Sequence, residues 1–369
     1  MSPDSTMYPG WPKSAADLVP LPQCKGPQLK PFKFHRSQKI EFLEYIGEGS
    51  HAHVFKVRIQ ESVYALKLFR FVYDRDWTGP TPETDDAAVL TKFANYSEPF
   101  NCECRAYGHL QETGHENLAI KCFGYLLLSE GNEKSMMNQF DDLHLKFNGN
   151  MNEAGLEPVR SRFLDENGRV PPIRGIVKEF GQRDENLTTV GARKLLSDII
   201  NLHRLGIINL DVAHRQVISG KLSDFSTAIT IPHFQTSPEL NPNLSHDQIS
   251  AMEFETFQLS SNDYWCFDEM IEEINWDKRQ KKKKIEVYAL PDTQTRYVLR
   301  NKPPTRFYTL VDPRKGEGVT KEPPVKWYYD PDDDRLAGIL SYKSDFSTFN
   351  EWVYKDKCIF PRKRGLHGK

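Results

Sequence analysis

Long apolar runs are missing from this chain. The longest, Tyr125-Leu126-Leu127-Leu128, is far too short for a helix that crosses a bilayer. Cysteine is scarce, six in 369 residues, which excludes a disulfide-stapled scaffold and fits a reducing intracellular compartment. An excess of either charge is also missing: 51 acidic against 49 basic side chains leave −2, so no surface built to coat nucleic acid or anionic membrane throughout is expected. Met1-Ser2-Pro3-Asp4 lacks the basic start and apolar centre of a secretory signal. There is no Gly-x-Ser-x-Gly elbow to support a serine hydrolase. Cys102 and Cys104 have no second Cys or His pair to complete a zinc set and read as structural or free thiols. What remains is a soluble intracellular protein of about two to three domains, or one large domain with loops and tails.

Proline is the exception to this sparseness. Pro3, Pro9, Pro12, Pro20, Pro22, Pro27 and Pro31 crowd the first 31 residues, and each fixes its own φ and disfavours helix in its predecessor. Residues 1–38 are therefore expected to form an extended or disordered leader, with order beginning near Lys39. Ile40–Ile46, Val54–Val57 and Ser62–Phe69 are apolar or alternating runs parted by short polar turns, which predicts an antiparallel meander. A polar insertion is expected over 74–99, then a helix over Asn101–Glu112 and a strand over Leu118–Leu128. Ser129–Pro172 is polar and rich in Asn, Glu and Gly, and reads as a long, poorly ordered loop. Gly175–Phe180 is a further short strand. Ala192, Leu195, Leu196, Ile199, Ile200 and Leu202 make an amphipathic helix over Gly191–His203, stopped by Gly206. Trp265–Ile274 is a second predicted helix with Asp263 placed to cap its start. Beyond Asp277 come a lysine run, a strand-like Tyr288–Val311 and an aromatic Trp327–Trp352.

Gly47-Glu48-Gly49 between two strands fits an ordinary β-turn as well as a backbone cradle for phosphate. Lys67 stands in a strand apolar on both faces, so its ammonium needs an anion or a route to water. Asp211 follows the Gly206 stop, and Asp224-Phe225-Ser226 follows it across a predicted hairpin of Val217-Ile218 and Lys221-Leu222.

In this order the motifs resemble those of the protein-kinase-like superfamily. Ile46–Val54 is similar to its glycine-rich loop, and Val63–Lys67 to its phosphate-pairing lysine strand. Glu103 stands in for the helix glutamate and Lys178-Glu179-Phe180-Gly181 for the adenine hinge. Asn209-Leu210-Asp211 sits at the catalytic loop, Asp224-Phe225-Ser226 at the magnesium loop, and Asp263–Phe267 at the start of the central helix. The resemblance spans roughly residues 46–275. It implies an α+β, two-lobed protein-kinase-like fold: a small antiparallel β lobe over 39–181 and a reduced, mainly helical large lobe over 182–276, followed by a 277–369 extension. It implies ATP contacts at Gly47, Gly49, Val54, Ala65, Lys67, Glu103, Glu179 and Phe180. It further implies magnesium at Asp224 and Gln216, and catalytic roles for Lys67 and Asp211. Glu103–Leu110, Cys122–Leu126 and Lys221–Ser226 with Pro232-His233 also resemble a fungal kinase-like family that includes an Fta-type inner-kinetochore subunit.

The departures from the superfamily pattern bear on turnover. Gln216 replaces an asparagine metal ligand, and its extra methylene shifts the amide oxygen by about 1.5 Å. A misplacement of about 1 Å costs roughly 10²-fold in rate. Ala213 stands where a phosphate-neutralising lysine is common, and Leu210 replaces the arginine that would pair with a phosphorylated loop. The expectation is a nucleotide-binding scaffold or pseudokinase with little turnover; the alternative is an active atypical phosphotransferase acting on a protein or small-molecule hydroxyl. Protein partners are expected, no membrane, and nucleic acid only through the 278–284 basic run. That run also reads as a nuclear import signal, favouring nucleus over cytoplasm.

Overall fold

Five strands form one sheet of wholly antiparallel neighbours in the order β1-β2-β3-β5-β4: β1 (Ile40–Glu48), β2 (Ala52–Ile59), β3 (Ser62–Phe69), β4 (Cys122–Leu127) and β5 (Arg174–Glu179). They belong to a computed structural model that describes residues 7–32, 39–79, 87–149, 159–183, 186–241, 244–277, 284–289 and 311–319, with the backbone alone of 350–355 and 358–363. Most of the 278–284 run, Tyr288–Val311 and Trp327–Trp352 lies outside the described residues. Among those described there are five α-helices, α1 (Ala87–Ser97), α2 (Pro99–Thr113), α3 (Glu130–Gln139), α4 (Thr189–Arg204) and α5 (His246–Asp277). None is long and apolar enough to cross a membrane.

The described residues divide into two units. One runs to Gly181 and takes in Phe225–Thr227; the other comprises Gln182–Asp224 and the residues from Ala228 on.

In the first unit the two faces of the sheet do different things. Strand alternation sends Phe55, Val57, Leu66, Leu68 and Val177 to one face, where they form a core with Phe71, Met136, Leu145, Phe147, Val159 and Ile173. Four of these partners, Met136, Leu145, Phe147 and Val159, come from the segment read as a poorly ordered loop. That reading is corrected: 129–149 forms α3 and packed turns, and 159–172 packs beside it. Ser129 caps α3 by accepting the Asn132 N–H, and Arg160 holds Glu133 bidentately at 2.6 and 2.9 Å. One buried methionine in ten helical residues is too thin a stripe for periodicity to reveal.

The opposite face carries Val54, Ala65, Lys67, Phe69, Arg174, Ile176 and Lys178, and receives α2, whose Phe100 ring lies 5.4 Å from that of Phe69. Glu98, the N-cap of α2, is fully buried and grips Arg174 through two bonds of 2.8 and 2.9 Å. The Arg174 guanidinium also lies over the rings of Tyr8, Phe71 and Phe100.

The leader reading is corrected too. Over 7–32 it is extended but packed: Tyr8 and Leu29 are buried, Trp11 donates to the Val170 carbonyl, and Phe32 donates to the Tyr125 carbonyl at 2.7 Å.

In the second unit α4 is capped by Thr188 and buries Ala192, Leu195, Ile199 and Leu202, the predicted stripe. Short pairs follow: β6 (Ile207–Ile208) with β9 (Ile229–Thr230), and the hairpin β7 (Val217–Ile218) with β8 (Lys221–Leu222). The predicted Trp265–Ile274 helix is the second half of α5, which begins at His246. Its first half escaped notice because Thr256, Gln258, Ser260 and Ser261 are buried there beside Met252 and Phe257, so polar groups interrupt the inward apolar stripe. Thr256 and Ser261 satisfy their hydroxyls on the Met252 and Gln258 carbonyls of the same helix. The β10 (Asn350–Lys355) and β11 (Cys358–Lys363) hairpin closes the described chain.

Candidate functional site

The predicted residues fall into two sets, one in each unit. In the first unit, register places Val54 opposite Lys67, and Lys178 opposite Ala65, all on the α2 face. Glu103, fully buried on α2, accepts from Lys67 Nζ at 2.7 Å and from Lys178 Nζ at 2.6 Å. The Lys67–Glu103 pairing agrees with the sequence reading. The second ammonium was missed, because Lys178 stands in a strand that also carries Arg174 and Glu179 and so does not read as an isolated buried charge. Burial holds the neighbouring thiols protonated: Cys122 is pushed up to about 12, and Cys104 well above its ordinary value. Cys24, Cys102, Cys104, Cys122 and Cys266 are free thiols.

Gly47, next to last in β1, has φ +153, and a Cβ at either Gly47 or Gly49 would meet nothing within 4 Å. The loop is nonetheless anchored, because Glu48 between them pairs with the buried Arg70 guanidinium. His51 at the turn meets the Ser226 hydroxyl at 3.1 Å. Glu179, exposed, donates its N–H to the Lys121 carbonyl, and Phe180 carries the Lys56 ammonium 4.7 Å from its ring centroid. Phe225 stacks edge-on against Tyr107 of α2 at 5.2 Å.

His53, beside this loop, is 1% exposed; its Nε2 donates to the Lys146 carbonyl at 2.9 Å, and its Nδ1 meets the Tyr45 hydroxyl at 3.2 Å. Burial lowers its pKa below 6.5, with Arg70 adding to the effect and the Lys146 carbonyl and Glu48 opposing it. As the pH falls through the ordinary histidine range, the unfolded chain therefore takes up a proton that the folded chain refuses, and stability declines. Melting temperatures between about pH 7.5 and 5.5 should fall more steeply for the wild type than for His53→Gln. Equal slopes would remove His53 as the source.

In the second unit Asn209 ties the two acidic turns together: its side chain donates to the Asp224 carbonyl at 2.7 Å and accepts the Asp211 N–H at 3.1 Å. Asp211 is itself occupied. Arg215 Nη2 reaches both carboxylate oxygens at 2.6 and 2.7 Å, and the Gln216 amide donates to one of them. Gln216 is 7% exposed, and its Oε1 has no hydrogen-bond partner among the described residues. The flipped amide would set oxygen against carboxylate, so the carbonyl must be the bare end. An unpartnered buried carbonyl is an acceptor for a donor or a hard cation, although among the described residues no group of three or more His, Cys, Asp or Glu is placed to hold a metal ion.

Asp263 is not a helix cap. It lies in the middle of α5, fully buried, and accepts from Asn209 N at 2.8 Å, Leu210 N at 2.7 Å and His203 Nε2 at 2.8 Å. These bonds hold Leu210 at φ +67, a left-handed conformation that costs a branched side chain about 1–2 kcal/mol. The local strain is thus clamped immediately before Asp211.

The chain belongs to the family described as kinetochore Sim4 complex subunit FTA2, whose model matches residues 18–229, over half its length. The match begins within the packed leader and ends at β9, so it takes in both sets of residues apart from Asp263. No curated protein matches the chain.

Proposed function

We propose that this protein is an interaction subunit of a kinetochore-type complex that keeps a protein-kinase-like, two-lobed fold and binds magnesium-ATP with little or no phosphoryl transfer. The Sim4 subunit family supports the scaffold role, protein partners and a nuclear site of action. Nucleotide binding is supported by the buried Lys67–Glu103 pair and by the unpartnered Gln216 carbonyl next to Asp211. On this reading Lys67 reaches the α- and β-phosphates, Asp224 and Gln216 hold magnesium, and Gly47, Gly49, Val54, Ala65, Glu179 and Phe180 line the nucleotide.

The single observation that favours weak turnover is the state of Asp211. A general base must accept the acceptor hydroxyl's proton, and here both carboxylate oxygens already carry donors. Arg215 and the Gln216 amide thus compete with an acceptor hydroxyl for the Asp211 carboxylate that an active phosphotransferase would need.

Magnesium-ATP at millimolar concentration should raise the melting temperature of the wild type but not of Lys67→Ala or Asp224→Asn. No shift in the wild type ends the nucleotide reading and leaves the scaffold role standing. Label transfer from ATP that vanishes in Asp211→Asn would replace the scaffold with the enzyme. For the nuclear reading, residues 270–290 fused to a reporter should carry it into the nucleus, and a cytosolic reporter would count against import.

A further inference from the structure

The leader makes an unusual number of specific bonds to α2 and β4 for a segment with so little regular structure. Leu21 and Leu29 exchange backbone hydrogen bonds at 3.1 and 2.8 Å, closing residues 21–29 into a loop. Arg105 of α2, buried to 1% exposure, reaches into that loop and donates to the Lys25 carbonyl at 3.2 Å and to Cys24 Sγ at 3.3 Å. Its guanidinium lies so close to Gly26 that a Cβ there would sit 2.8 Å from a nitrogen. Tyr96 donates to the same Lys25 carbonyl, and Glu112 accepts the Gln28 N–H at 3.2 Å.

Two glycines let the backbone approach. A Cβ on Gly108 of α2 would lie 2.4 Å from the carbonyl carbon of Gln28, and one on Gly124 of β4 would lie 2.6 Å from Phe32 N. Past Gly124 the leader pairs with the sheet edge, Tyr125 donating to Lys30 O and accepting from Phe32 N, while the Tyr125 hydroxyl bonds to the Val19 carbonyl. The bonds fall on the C-terminal half of α2, from Arg105 to Glu112, starting two residues after Glu103, and continue onto the outermost strand.

We propose that Val19–Phe32 is an intramolecular strap that fixes α2 against the sheet and so makes the meeting of Glu103 with Lys67 and Lys178 a permanent feature of the fold. Arg105, Gly108 and Gly124 are then positioning residues: their contacts with the strap set the helix that carries the carboxylate. The strap stands whether or not a nucleotide binds, since every contact in it lies within the first unit.

The test reads the lysines directly. In Arg105→Ala and Gly108→Val, amides of 21–32 should exchange faster, and Lys67 and Lys178 should be acylated by acetic anhydride about tenfold faster relative to exposed Lys39. A strap that exchanges faster while both lysines stay protected overturns the proposal. Should these variants fail to fold, the wild type decides by native-state hydrogen exchange in rising urea. The strap and α2 should then open as one unit ahead of β2 and β3. A strap that opens alone, leaving α2 with the sheet, equally overturns it.

Discussion

Replacing Glu103 by alanine is expected to destabilise the protein by about 3–5 kcal/mol in urea denaturation. Lys67 and Lys178 stand on adjacent strands and turn to the same face, each almost wholly buried, and this carboxylate lies within 2.7 Å of both. Taking an ammonium out of water costs several kcal/mol, and attraction to an anion at contact distance offsets it only while the anion is there. The Phe69 ring, 5.0 Å from the Lys67 nitrogen, adds a smaller attraction. Glu103→Gln keeps an acceptor but loses the charge and should fall between wild type and alanine. The triple change Glu103→Leu, Lys67→Met, Lys178→Met should recover much of the loss, because buried ion pairs are often replaceable by apolar groups of similar volume. A loss below about 1 kcal/mol in Glu103→Ala would mean that the lysines reach water and that the cluster stabilises little.

The second large effect is expected at Asp263. Its carboxylate receives two backbone N–H groups and the His203 ring, all buried or nearly so. Each backbone donor left unpaired costs about 1–3 kcal/mol, so Asp263→Ala should lose roughly 3–5 kcal/mol in total. Asparagine is no remedy, since one end of its amide would present donors to donors. The damage should be local as well as global: Leu210 is held at φ +67 only while its N–H is engaged, so amide exchange over 207–211 should rise first. If that loop stays as protected as in the wild type, the strain at Leu210 has another support. The same variant should lose any stabilisation by magnesium-ATP, because Asn209 and Asp211 are set from this anchor.

What could be read without coordinates follows from where the physics is local. β1 to β3 were legible because alternation and short polar turns act over a few residues, and α4 because its apolar groups repeat at helical spacing. Lys67 could be singled out because a lysine in an apolar strand demands a counter-charge, whereas Glu103 was named as its partner only through the kinase-like resemblance. α3, the first half of α5 and the packing of the leader were not legible. α3 buries one methionine, α5 turns polar groups inward, and the leader's order comes from Arg105, Gly108 and Gly124, up to about a hundred residues further along. Asp263 was legible as a residue of consequence but misread as a cap, since its partners lie more than fifty residues away.

The sequence by itself therefore determined the antiparallel strands, the amphipathic α4 and the charged residues that had to find partners, because propensity, periodicity and the cost of burying charge belong to each segment. Only the tertiary structure decided that two lysines share Glu103, that Arg215 and Gln216 occupy Asp211, and that a proline-rich leader binds α2. Those outcomes depend on which distant groups arrive within about 3 Å of one another, and no local pattern encodes that distance.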